Sequence, residues 1–418
     1  MPPATKGART PSKSDRPLSG LFAIAKPSGP TSMELLDQLK PLLASSSLFY
    51  PSNAPAPFSS AAKKLKRPKP WEKALLEKCG RLPPKIGQGG TLDPLAEGVL
   101  VIGVNAATKE LQQFLHCTKE YRTTGLLGSA TSSYDCKDPV VRRAPSAHVT
   151  EDMVRAKLGL FTGEVQQIPP LYSALRMDGK RLFEYAREGT PLPRPIEARG
   201  VTVHELRLVE WLPGGEHAYR APENEVSSED KEVFERMRQM AGREHAFDTT
   251  KPTASVDDEA QGTASAEATQ DASQAKETET EAGSEAAPAP EPEAAPGPAA
   301  ADGSEHAPAA FSLEMTVSSG TYVRSIVHDL GEACGSAAHV VRLIRTRQGQ
   351  FSLGHGPDAD EASVADSQVS LPGNCIPWRV FEQGLAELEA ARNGGPDTRD
   401  ADGLHEWERI LLSRLELV

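Results

Sequence analysis

The stretch from Ala254 to Pro308 limits what this chain can fold into, because it offers almost nothing to bury. Thirteen acidic residues there face a single basic one, Lys276, among Ala, Pro, Ser and Gly. Such a composition buries too little apolar surface to offset the entropy of ordering the chain. Its charge of −12 equals that of the whole 418-residue protein, so the rest balances to zero. That balance is uneven. From His355 to Val418 thirteen acidic residues stand against five arginines, which leaves +8 for residues 1–253 and 309–354 together. The part expected to fold is therefore basic although the sequence pI is near 5.4, and a basic folded part favours a polyanionic partner.

Several classes are disfavoured. The cysteines (Cys79, Cys117, Cys136, Cys334, Cys375) are odd in number and scattered, never C-x-x-C, so neither a disulfide framework nor a zinc site is indicated. No apolar run approaches the roughly 20 residues that span a bilayer. Met1 to Gly20 carries Lys6, Arg9, Lys13 and Arg16 among Pro and Ser without the apolar centre of a secretory signal. It reads as a disordered tail rather than a mitochondrial address, whose amphipathic helix the prolines oppose.

Gly20–Ala25 reads as an apolar strand leading to Lys26-Pro27-Ser28-Gly29, with Thr31 and Ser32 capping a helix from Met33 to Lys40 that Pro41 ends. Residues 44–84, rich in Ser and Pro, read as a flexible insertion whose basic cluster (Lys63, Lys64, Lys66, Arg67, Lys69) lies near Trp71 and suits nucleic-acid backbone. Val99–Val104 and Lys119–Gly128 read as strands, with a helix from Ala106 to Cys117 between them. A helix at Val149–Leu160, a turn at Met177–Lys180, a helix at Arg181–Arg187 stopped by Gly189, and a strand at Val201–Val209 follow. Beyond residues 213–309, Phe311–Val317 alternates as a half-buried strand, and Ile326, Val327 and Leu330 stripe a helix. Residues 213–309 thus read as an insertion between two strands of one domain. Residues 355–418 read as an acidic, loop-like extension with a helix at Trp378–Arg392 and another near the end.

The chemistry is expected in the glycine-rich turn Gly87–Gly98, which delivers Asp93 just before the Val99–Val104 run. Asp93-Pro94 suits a helix N-cap with proline at the first helical position; it equally suits a nucleophilic carboxylate. The two roles are compatible.

Gly90-Thr91-Leu92-Asp93-Pro94-Leu95-Ala96, preceded by Lys26-Pro27-Ser28-Gly29 and followed in order by Tyr121-Arg122, Tyr172-Ser173-Ala174-Leu175 and Gly320-Thr321-Tyr322-Val323-Arg324, resembles the TruB family of tRNA pseudouridine synthases. The long insertions, and the absence of a recognisable C-terminal PUA module, are most similar to its eukaryotic, fungal members. The resemblance implies an α+β fold, a mixed and largely antiparallel sheet with flanking helices and a central cleft. It would occupy residues 20–354, after a tail at 1–19 and before the 355–418 extension. The implied reaction converts uridine 55 of the tRNA T-loop to pseudouridine without cofactor or metal. The implied enzyme is a monomer that binds the tRNA T-arm and no membrane, in nucleus and cytoplasm and possibly the mitochondrion.

The resemblance also assigns roles. Asp93 would be the nucleophile, and Tyr121 would stack on the flipped base. Tyr322 and Leu343 would line the pocket, and Arg324 would face and orient the aspartate. Asp135 matches a carboxylate near the site and equally suits a plain turn residue. Glu164–Gly189 matches an element that closes over the T-loop, with Arg176, Lys180, Arg181 and Arg187 for phosphates. Gln88 stands where many members have histidine; it can hydrogen-bond beside the flipped base but cannot titrate near neutrality. Two rival readings are a guide-RNA-dependent rRNA relative and a tRNA-binding or folding protein in which catalysis is secondary. A glycosidase lacks a motif-placed second carboxylate.

Overall fold

Alternate residues of two apolar strands serve two different cores. The computed structural model describes residues 16–59, 69–228, 231, 307–354 and 373–418. Its strands are β1 (Gly20–Lys26), β2 (Ile86–Gln88), β3 (Glu97–Val104), β4 (Lys119–Leu127), β5 (Ser129–Thr131), β6 (Val140–Arg143), β7 (Gly163–Gln167), β8 (Arg176–Met177), β9 (Lys180–Arg181), β10 (Arg199–Leu212), β11 (Ala310–Val317), β12 (Ala338–Gln348), β13 (Phe351–Ser352), β14 (Cys375–Pro377) and β15 (Glu416–Leu417). Its helices are α1 (Ser32–Ser45), α2 (Pro70–Cys79), α3 (Leu111–His116), α4 (Glu151–Lys157), α5 (Leu182–Glu188), α6 (Val323–Ala333), α7 (Trp378–Arg392) and α8 (Glu406–Arg414). On β1 and β3, Phe22, Ile24, Leu100 and Ile102 enter the larger core, while Leu21, Ala23, Val99 and Val101 enter a smaller one. A strand covered on both faces needs such an unbroken apolar run.

Among the described residues the main sheet has eleven strands, with the path β14-β1-β3-β12-β4-β11-β10-β7 and β2, β13 and β15 attached beside it. Pairing is parallel at β1–β14 and β12–β3 and antiparallel between the other neighbours on the path. The fold is thus α+β on a mixed, largely antiparallel sheet. β10 and β11 pair from Leu212↔Ala310 to Val203↔Val317, so residues 213–309 connect two neighbouring antiparallel strands.

Four local expectations need correction. Helix α1 continues through Pro41 to Ser45. An interior proline costs about 3 kcal/mol, but the residue whose carbonyl loses its partner, Asp37, is exposed, and continuing the helix buries Leu42, Leu43 and Ala44. The helix expected over Ala106–Cys117 is split into a 3₁₀ turn at Asn105–Lys109 and α3. Asn105 adopts φ 56° there, and its amide donates to the carbonyls of Leu18 (2.8 Å) and Phe49 (3.1 Å). Within the 44–84 insertion, residues 44–59 and 69–84 are ordered. Leu48 and Phe49 are buried, and Arg81 donates to the carbonyls of Ala44, Ser46 and Pro55 with its guanidinium 3.5 Å over the Tyr50 ring.

The C-terminal segment is more than loops and helices. β14 and β15 both pair with β1, and Ile376, Trp378, Phe381, Trp407 and Leu411 belong to the larger core. The expectations for residues 1–15, the basic cluster at 63–67, the acidic tract at 254–306 and the stretch 355–372 lie outside the described residues.

Candidate active site

No helix follows Asp93, which overturns the N-cap reading. The residues after it make a tight turn, closed by Ala96 N–H donating to the Asp93 carbonyl at 3.0 Å, and then enter β3. The reason lies across the sheet. At Gly98 the backbone has φ +100°, and a Cβ would sit 2.2 Å from the Arg345 carbonyl oxygen. The chain is pressed against β12 at a position that a helix begun at Pro94 would have to occupy.

Four buried side chains fasten this turn from beneath. Lys26, fully buried at the end of β1, donates through Nζ to the carbonyls of Ala96 (2.7 Å), Pro27 (2.8 Å) and Pro94 (3.2 Å). Burial pushes its pKa down to about 8, against the opposing pull of Glu97 and Asp93. Ser32 Oγ donates to the Leu92 carbonyl and accepts from Leu92 N–H. From β12, Arg345 donates to the carbonyls of Val99 (2.8 Å) and Gly90 (3.0 Å), and Gln348 donates to that of Gly89 (2.6 Å). Buried backbone acceptors need such partners; here they immobilise the loop that carries Asp93.

Arg324, two residues into α6, closes the arrangement. Its Nε lies 2.9 Å from Asp93 Oδ2, Nη1 lies 3.6 Å from Asp135 Oδ2 and donates to the Ser133 carbonyl, and Nη2 donates to the Tyr172 carbonyl at 2.9 Å. The arginine side chain is 6% exposed and that of Asp93 41%, so the carboxylate is fixed on one side and open on the other. Burial by itself would lower the Arg324 pKa, but Asp93 and Asp135 outweigh it and hold the guanidinium charged. Asp135 is itself buried, accepting from Ser133 Oγ (3.1 Å) and Lys137 N–H (3.0 Å). Burial raises its pKa despite the arginine.

Asp93 faces a cleft of about 270 Å³ that Tyr121, Tyr322, Arg324 and Leu343 also line. The fold thus brings Asp93, Tyr121, Tyr322, Arg324 and Leu343, all singled out from sequence, to one cleft. Tyr121 reaches it from β4, and Leu343 and Arg345 from the same face of β12, between irregularities at Val340/Arg342 and Arg345/Arg347 that re-aim the strand. Burial raises the Tyr322 phenol pKa, which keeps the hydroxyl neutral. Gln88 is the exception. It belongs to β2 and lines a neighbouring depression with Lys109 and Leu115, its amide donating to Thr91 Oγ1 at 3.2 Å. Arg176, Lys180, Arg181 and Arg187 lie on the segment that forms the far wall. Lys180 pairs with Glu188, while Arg181 and Arg187 lie 5.6 and 5.2 Å from the Phe183 ring centre.

Sequence reasoning had no role for Lys26 beyond its motif, only a helix-capping role for Ser32, and none for Arg345 and Gln348. The sole signal for Lys26 was a lysine ending an apolar strand; for Arg345 and Gln348 none existed. One group of possible metal ligands occurs among the described residues, His328, Asp329 and Glu332 on α6. None of the three lines the cleft. Glu332 is held by Arg142 at 2.8 Å, and His328 stacks on Tyr134 at 3.9 Å.

The family described as TruB family pseudouridylate synthase (N terminal domain) matches residues 77–221. A tRNA pseudouridine synthase 4 of Schizosaccharomyces pombe is 38% identical over 356 residues, which cover 85% of this chain and 83% of that one. This chain belongs to the TruB family. A second similar TruB-family protein, tRNA pseudouridine synthase 4 of Saccharomyces cerevisiae, is 34% identical over 80% of this chain and 78% of its own. Pseudouridylate synthase TRUB1 of Mus musculus is 29% identical over 85% and 70%. Among solved structures, a chain of a Cbf5-Nop10-Gar1 complex aligns at 17% identity with a TM-score of 0.43, covering 97% of this chain and 66% of that one. As a TruB-family member the chain is an isomerase that forms pseudouridine.

Proposed function

We propose that this enzyme isomerises uridine 55 in the T-loop of tRNA, with Asp93 as the nucleophile. Support for a tRNA substrate comes from relatives named as tRNA pseudouridine synthases. The observation that carries the mechanistic part is the half-open Asp93 carboxylate, tied to buried Arg324 at 2.9 Å and facing a cleft lined by two tyrosines and Leu343.

The target base leaves its stack and enters the cleft, at a cost of a few kcal/mol. Tyr121 and Tyr322 supply aromatic surface for it. The free Asp93 oxygen attacks C1′ or C6 of the uridine, or assists departure and recapture of the base. The N1–C1′ bond breaks, the uracil turns, and a C5–C1′ bond forms; C5 loses its proton and N1 gains one. Atoms and electrons balance within the nucleotide, so the reaction is redox-neutral. Arg324 keeps the carboxylate aimed while charge shifts around it.

The test is Asp93→Asn assayed on a T-arm hairpin. Product formation should fall by about 10³-fold or more, with hairpin affinity retained. A variant that still formed pseudouridine at the normal rate would remove Asp93 from the chemistry. Wild-type enzyme that modified another RNA but left the T-arm uridine intact would overturn the uridine 55 assignment. If the Asn variant supported every cellular role of the protein, the reading as an RNA-binding or folding protein would be preferred.

A further inference from the structure

Helix α6 carries Arg324 in its first turn, yet its N-cap side chain makes no capping bond. That residue is Tyr322, whose side chain lies in the cleft instead. A helix start normally depends on such a bond from Ser, Thr, Asp or Asn. Here the missing restraint comes from a residue 155 positions away in sequence. Gln167, the last residue of β7 and 1% exposed, donates through Nε2 to the Tyr322 carbonyl at 3.0 Å and accepts Tyr322 N–H on Oε1 at 2.8 Å. The two bonds together act as a two-point clamp on the backbone N–H and C=O of one residue, Tyr322. They fix both the height and the rotation of the turn that presents the Tyr322 ring and, two residues on, the Arg324 guanidinium.

We propose that Gln167 is a positioning residue for the pseudouridine-forming reaction. It sets the start of α6 so that Tyr322 faces the base and Arg324 meets Asp93. The inference rests on the reading of Asp93 and its cleft given above. Only an amide, or a protonated carboxylic acid, offers one donor and one acceptor at this spacing. The position also joins two parts of the site, because Gln167 immediately precedes the Ile168–Ile196 wall whose Tyr172 carbonyl accepts from Arg324. Small displacements matter here, since misplacing reacting groups by about 1 Å can cost on the order of 10²-fold in rate.

Two variants test this on the full-length enzyme with a T-arm hairpin, under single-turnover conditions and alongside the wild type. Gln167→Met keeps the volume and loses both bonds; its rate should drop roughly 30-fold, within the range expected of misplacement, while hairpin Kd stays within about threefold of wild type. Gln167→Glu should be slow at pH 8 and recover relative to wild type as pH falls towards 5.5, because protonation restores the donor. Taking the ratio to wild type cancels any titration common to both enzymes. A wild-type rate for Gln167→Met, a rate loss matched by an equal loss of affinity, or a Gln167→Glu ratio flat in pH would each overturn the proposal. Wild-type enzyme inactive on the hairpin would instead count against the uridine 55 reading, so the two failures are distinguishable.

Discussion

The Asp93 side of the cleft hangs from the sheet and helix α1 by the buried side chains of Lys26, Ser32, Arg345 and Gln348, whereas the opposite wall, residues 168–196, packs around a small core of its own. That core consists of Leu171, Met177, Leu182, Tyr185, Leu192 and Ile196, apart from the two large cores. The wall reaches the Asp93–Arg324 pair through the Tyr172 carbonyl and is rooted at Gln167. The contrast suits the proposed function. A nucleophile is useful only if held to a fraction of an ångström. A wall that receives a folded RNA loop gains from being a separable unit, because elements with few ties to the main core open at lower free energy.

Arg324 spans both sides, so after Asp93 itself its replacement should have the largest effect. Arg324→Lys keeps one charge but cannot reach Asp93, Ser133, Asp135 and Tyr172 together. The single-turnover rate should drop by about 10²-fold or more, with hairpin affinity nearly unchanged; a loss below about threefold would separate the two sides of the cleft energetically.

The fastened side is next. Lys26→Met removes a buried donor from the carbonyls of Ala96, Pro27 and Pro94 and should cost about 3 kcal/mol in denaturant unfolding. It should also alter pH dependence. Folded Lys26 loses its proton near 8, below the ordinary 10.5, so between those values the unfolded chain binds the extra proton and unfolding free energy rises with pH. The wild type should show a slope of up to about 1.4 kcal/mol per pH unit there that the variant lacks. Equal slopes would mean that Lys26 is solvated.

On the separable wall, replacing Arg181 and Arg187 together by Ala should raise the hairpin KM about five- to tenfold and flatten its salt dependence while leaving kcat in place. A fall in kcat alone would make this wall part of the catalytic apparatus. The smallest effect is expected at Gln88, which lines the neighbouring depression rather than the cleft; Gln88→His should change turnover by less than about threefold.

Much of this was legible from sequence. The apolar Val99–Val104 run reads as a strand and forms the buried β3, and the alternation from Phe311 to Val317 reads as a strand and forms β11. Residues Asp93, Tyr121, Tyr322, Arg324 and Leu343 were nameable through motif order. Other features were not, because local signals pointed elsewhere. Asp93-Pro94 has the pattern of a helix cap, but in the fold the chain turns at Ala96 and enters β3, where Gly98 is pressed against the Arg345 carbonyl. Pro41 reads as a stop, and burial of the residues beyond it overrides the stop. The strands at Cys375–Pro377 and Glu416–Leu417 are too short to carry a period, and their partner in β1 lies more than 340 residues away in sequence.

What the sequence determined by itself was composition and order: a basic folding part, a tract unable to form a core, and five motifs in family order. Residue type and local periodicity are written in the chain, so these could be read directly. The tertiary structure decided distance and restraint, namely which oxygen Arg324 holds, which carbonyls Lys26 satisfies, and that Gln167 clamps a turn 155 residues away. Those contacts join residues far apart in the chain, and only packing the sheet and its helices together brings them within hydrogen-bond range.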